Sequence, residues 1–89
     1  MRHVVKCYRP WFRDISDRRK TAELRLLDRH YQVGDEILLQ ETDDEYVRSG
    51  REILVKITHI VRFDEFRPAL KLGYGMISFR IMSAEEMRG

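Results

Sequence analysis

One short run of this chain concentrates groups able to do chemistry: Lys20, Thr21, Glu23 and Arg25. Lysine supplies a compact cation, or a base where burial lowers its pKa. Glutamate supplies acceptor oxygens, and arginine a planar fork of donors that fits phosphate or carboxylate. Glu23 and Arg25 are two residues apart, so on a strand they share a face and can pair. Lys20 is out of phase with them and joins only from the turn ahead of the strand. The same residues also describe an exposed ion pair worth well under about 1 kcal/mol, and spacing alone leaves both readings open.

Several other chemistries lack their residues. Lys20-Thr21 follows Asp17-Arg18-Arg19 with no glycine before Gly34, so it is not a phosphate-binding P-loop. Gly-x-Ser-x-Gly does not occur, and no serine falls on a strand-to-helix elbow. His3 and Cys7 share a strand face but stand about 13 Å apart along it, too far to chelate one ion. With three histidines and one cysteine, no metal site and no cofactor are expected. His59 falls in an apolar strand and reads as a core or edge residue. The single cysteine excludes an internal disulfide framework and suits a reducing cytoplasm.

The elements that must position this run follow from periodicity. Residues 3–8 read as a strand rich in β-branched side chains. Pro10 opens a helix over 10–19, with Trp11, Phe12 and Ile15 on one apolar stripe. Residues 21–27 alternate, with Ala22, Leu24 and Leu26 on one face of a half-buried strand and Thr21, Glu23 and Arg25 on its polar face. Val33-Gly34-Asp35 turns the chain into a strand over 36–41, and a polar loop over 42–50 ends at Ser49-Gly50. The longest strand covers 51–63. An irregular stretch over 64–72 leads to a last strand over 74–82, with Ile77, Phe79 and Ile81 inward. The tail 83–89 forms a helical turn with Ser83 as cap and Glu86 three residues on. The order predicts a mainly β, α+β domain on a small bent sheet or partly closed barrel.

Length and charge bound the rest. Eighty-nine residues allow one domain with a small core, and no apolar run approaches the roughly 18 residues of a membrane helix. The N-terminus shows no apolar signal region, so a cytoplasmic location is expected. Thirteen of the seventeen basic residues are arginines, and the net charge is +2. Residues 1–30 carry a net +5 and residues 35–45 a net −6, a pattern that gives either a basic face and an acidic loop or an ordinary mixed surface. The acidic 35–45 segment is a candidate contact for a protein partner.

The run Arg19-Lys20-Thr21-Ala22-Glu23-Leu24-Arg25, with Asp28-Arg29, Tyr31 and Val33-Gly34-Asp35 after it, resembles the ASCH family of the PUA-like superfamily. It is most similar to a bacterial and phage branch that remains a domain of unknown function. Ser49-Gly50-Arg51 before the long strand and Leu72-Gly73-Tyr74-Gly75 at the last one agree in order. Arg19 stands where that family usually carries glycine. The resemblance implies a PUA-like pseudo-barrel of about five strands with one main helix near the N-terminus. It also implies a cleft, lined by Lys-x-x-Glu-x-Arg, for RNA or a nucleotide-like ligand. Lys20 and Arg25 would contact phosphate or carbonyl groups, with Glu23 accepting from a base or orienting Arg25. Arg29 and Arg51 would be outer basic contacts, and Tyr74 a stacking surface. Relatives that hydrolyse acylated cytidine or cleave RNA imply an enzymatic alternative in which Lys20 and Glu23 are catalytic. The hydrolases use a threonine three residues after the lysine, where this chain has Glu23. A protein-interaction domain is the third reading.

Overall fold

A computed structural model describes residues 1–88 of the chain, which run as β1 (Arg2–Tyr8), α1 (Arg9–Ser16), β2 (Ala22–Leu26), β3 (Glu36–Thr42), β4 (Arg48–Arg62), a 3-10 turn (Phe63–Glu65), β5 (Tyr74–Ile81) and α2 (Ala84–Arg88). Gly89, the end of the expected C-terminal turn, lies outside the described residues. The five strands form one sheet in the order β1-β3-β4-β5-β2. β1 runs parallel to β3, with Arg2 opposite Glu36 and Tyr8 opposite Thr42. The other three pairings are antiparallel. This leaves β1 and β2 at the two edges, running in opposite directions.

The sheet curls into a half-barrel whose edges face each other without pairing. Its concave side holds a core that includes Val5, Cys7, Ile37, Val55 and Ile77. α1 lays Phe12 and Ile15 on that core, while Trp11, expected on the same stripe, is 54% exposed. β4, fifteen residues long, pairs with β3 over residues 48–56 and with β5 over residues 55–62, where a bulge at Thr58 shifts its register between Ile57 and His59. The extra residue returns Ile60 to the core and leaves His59 exposed, so His59 is not a core residue; it pairs only with β5, through Ser78, beyond the end of β3. Among the described residues no helix is long and apolar enough to cross a membrane.

Two turns set the positions of the motif residues. α1 stops three residues short of the expected end, although no glycine follows it. Arg18 takes the left-handed conformation at φ 62°, a role usually filled by glycine. Its N–H reaches the Ile15 carbonyl at 2.9 Å, and the Arg19 N–H reaches the Asp14 carbonyl at 2.9 Å. Arg19 itself is not in a left-handed conformation, so an arginine is tolerated there. The Lys20 N–H also reaches the Asp14 carbonyl, at 3.1 Å, fixing Lys20 at the entrance to β2. The second turn places Gly34 at φ +93°, a conformation costly for any residue with a Cβ, and delivers Asp35 to the start of β1.

Candidate functional site

β2 is turned the opposite way from a strand that buries its apolar residues. Glu23 is buried at 6% exposure, whereas Leu24 and Leu26 are exposed at 58% and 48%. The reason is its place at an edge of an incomplete barrel. The inward face looks across the open seam toward β1, where polar groups are needed to bridge the gap.

That bridge is specific. Arg25 Nε donates to Glu23 Oε2 at 2.9 Å, and Arg25 Nη2 donates to the Lys6 carbonyl at 3.1 Å. The Cys7 thiol approaches Glu23 Oε1 at 3.7 Å. Two side chains of β2 thus do what a backbone ladder does elsewhere in the sheet. Gly75, opposite Arg25 in the register, leaves no room for a Cβ, which would stand 2.9 Å from the Val61 carbonyl. Burial, and then the Glu23 carboxylate, push the Cys7 thiol up to about 12, so it stays protonated at neutral pH.

An open groove of about 710 Å³ follows this seam and wraps over the β2 edge. Lys6, Lys20 and Arg25 supply its cations, with Glu23 and Asp28 as the carboxylates among them. Leu24, Leu26, Met76 and Tyr74 supply an apolar shelf on the outer face, because Leu24 pairs with Met76 and Leu26 with Tyr74. Trp11 stands over one end, with its ring edge-on to Tyr8 at 5.7 Å. Arg25 spends Nε and one contact of Nη2 on the protein, and among the described residues Nη1 has no partner and is the open end of the fork. Neither Lys6 nor Lys20 forms an ion pair with a carboxylate among the described residues.

The structure therefore brings Lys20, Glu23, Arg25 and Tyr74 to one groove. It places Arg29 on the exposed turn after β2, and Arg51 in a separate groove of about 520 Å³ with Phe12, Arg13 and Glu52. The acidic 35–45 segment is dispersed: Asp35 and Glu41 are buried, and Glu36 pairs with Arg2 at 2.8 Å. Glu41 accepts from the Ser49 hydroxyl at 2.7 Å while its other oxygen has no partner. No group of three or more His, Cys, Asp or Glu among the described residues could hold a metal ion.

A second buried polar cluster lies at the far end of β1. His3 Nε2 meets Asp35 Oδ2 at 2.8 Å, the Gln32 N–H donates to the same oxygen at 3.1 Å, and the N-terminal ammonium reaches Oδ1 at 3.2 Å. The His3 bond, chiefly, holds the Asp35 carboxyl below its ordinary range. Tyr31 tilts over His3 with ring centroids 4.5 Å apart, and burial raises its phenol. The sequence pattern pointed to Lys20, Glu23, Arg25 and Tyr74 but missed Lys6, because an exposed lysine in a β-branched strand carries no signal until β2 is placed beside it. Trp11 was missed as a groove residue for the converse reason: its spacing fits a core stripe.

The sequence matches no curated protein. Among solved structures it is similar to the crystal structure of hypothetical protein PH0355, at 16% identity and a TM-score of 0.64, covering 92% of this chain and 100% of that one, a likeness of fold. A family model described as a domain of unknown function, DUF3850, matches residues 2–79, and the chain belongs to that family.

Proposed function

We propose that this chain is a small RNA- or nucleotide-binding module of PUA-like type, and that its ligand lies in the groove along β2. The observation that carries the reading is the division of that groove into a cationic seam and an apolar shelf. A nucleotide is divided in the same way, into an anionic phosphate and an aromatic base. Lys6, Lys20 and the open end of Arg25 would face the phosphate, where charge-assisted contacts position a ligand without reading its sequence. Tyr74 and Trp11 would stack on bases, which every base permits because each has a π-face. Glu23, buried with Oε2 on Arg25 and Oε1 toward the Cys7 thiol, would hold Arg25 in place.

A titration of single-stranded RNA and of free nucleosides, on wild type and on Lys20→Ala, tests this. Saturable RNA binding is expected, weakening with added salt as released counterions oppose it and weakening again in the variant. A flat salt response, or equal binding by Lys20→Ala, would sink the reading. Turnover of a nucleoside without RNA affinity would replace it with the enzymatic alternative.

A further inference from the structure

We infer that the groove takes a single strand at least three nucleotides long, and that its two aromatic platforms hold the first and third bases with the middle base over Leu24. This rests on the nucleotide-binding reading and adds the length and register of the ligand.

The register comes from the seam. Cys7 stands against Glu23 and Lys6 against Arg25, so β1 passes β2 in antiparallel sense. Tyr8, one residue past Cys7, therefore lies toward the Ala22 end of β2. Trp11 packs edge-on against Tyr8, which sets that platform at the Ala22 end. The other platform, Tyr74, sits opposite Leu26 on β5. From Ala22 to Leu26 is four strand steps, about 13 Å.

Bases stacked directly on one another rise about 3.4 Å, so two adjacent stacked bases cannot serve both platforms. Unstacked bases splay apart, so a strand can span the separation with one base between the two platforms. Between the platforms the shelf is apolar, with Leu24 and Leu26 exposed and Met76 beside them. The cations line the other bank: Lys6 on β1, Lys20 ahead of β2 and Arg25 between them. A strand lying in the groove thus presents its backbone to one bank and its bases to the other along its whole length. A free mononucleotide occupies one platform and leaves the second unused.

Trp11 is the only tryptophan, so its fluorescence reports the first platform directly. Uridine monophosphate and uridine oligomers of two, three and six nucleotides would be titrated against wild type, Tyr74→Ala, Tyr74→Phe and Lys20→Ala. The expected result is about a tenfold or larger gain in affinity from two to three nucleotides and a much smaller gain from three to six. Tyr74→Ala should erase the step at three and lower dinucleotide affinity by no more than about twofold, because Trp11 still holds one base, and Tyr74→Phe should restore the step. The inference is overturned if the mononucleotide binds as tightly as the trimer, if affinity climbs evenly to six, or if Tyr74→Ala weakens every length alike. In each of those cases loss of binding in Lys20→Ala still upholds the groove as the nucleotide site. Absence of binding at every length, or binding indifferent to Lys20, overturns the groove reading itself and this inference with it.

Discussion

Two buried polar clusters sit at opposite ends of β1, and they differ in what is left over. At the Asp35 end every hydrogen-bonding oxygen is spent: Oδ2 serves His3 and the Gln32 N–H, and Oδ1 serves the terminal ammonium. Tyr31 covers the pair. At the Glu23 end the carboxylate and guanidinium satisfy each other and the Lys6 carbonyl, yet among the described residues Arg25 Nη1 has no partner and Lys6 and Lys20 form no ion pair. The first cluster is closed and the second is open. Burial of charge is common to both; cations facing an accessible groove distinguish the second. β1 serves both clusters, through His3 in the first and through Lys6 and Cys7 in the second.

The sharpest way to break this comparison is to remove Asp35. Asp35→Ala leaves His3 and the Gln32 N–H without a buried acceptor, and a loss on the order of 2–4 kcal/mol is expected. For a domain of this size that lowers Tm by roughly 10 °C or more. RNA affinity, measured well below the variant's Tm, should not change. The pH dependence follows from the same contacts. Because the folded carboxyl is held below its ordinary value, its contribution is complete above about pH 4 and fades as pH falls through the lowered value. Wild type should lose stability across that acid range more steeply than Asp35→Ala. Thermal melts from pH 6 to pH 2 would decide it, and parallel curves would remove Asp35 as the cause.

The open cluster should respond in the opposite sense. Glu23→Gln retains an acceptor for Arg25 Nε in the same shape, so stability should fall by no more than about 1 kcal/mol. Binding should change more, because an amide holds Arg25 less firmly than a carboxylate. Denaturant unfolding set beside an RNA titration separates the two effects. A stability loss as large as that of Asp35→Ala, with affinity untouched, would make Glu23 a second clamp and erase the contrast.

The order of elements was legible because each depends on local pattern: alternation gave the strands, Pro10 the helix start, and Ser83 with Glu86 the last turn, where the Ser83 N–H and the Glu86 N–H each find the other's side chain. The orientation of β2 was not legible. Alternation is symmetric between the faces of a strand, and only the missing neighbour at the seam determines that Glu23 and Arg25 turn inward. The same long-range fact hides Lys6. Trp11 misleads because its spacing matches Phe12 and Ile15, although a helix of eight residues on a small core buries only the narrow stripe those two occupy. His59 moved to the surface because a one-residue bulge at Thr58 inverts every face assignment beyond it.

The smallest expected effect tests whether the open cluster depends on a strained turn. Arg18 holds a left-handed conformation that costs a residue with a Cβ about 1–2 kcal/mol, and glycine avoids that cost. Glycine also gains more freedom in the unfolded chain, which returns roughly 0.5–1 kcal/mol of the benefit. Arg18→Gly should therefore stabilise the domain by less than about 1 kcal/mol, a rise in Tm of a few degrees. The Lys20 N–H bond to the Asp14 carbonyl survives this change, so Lys20 keeps its place and RNA affinity should stay within twofold of wild type. A stabilised variant with weakened binding would show that strain at Arg18, or its charge, helps present Lys20 to the ligand. The open cluster would then begin at the helix terminus rather than at β2.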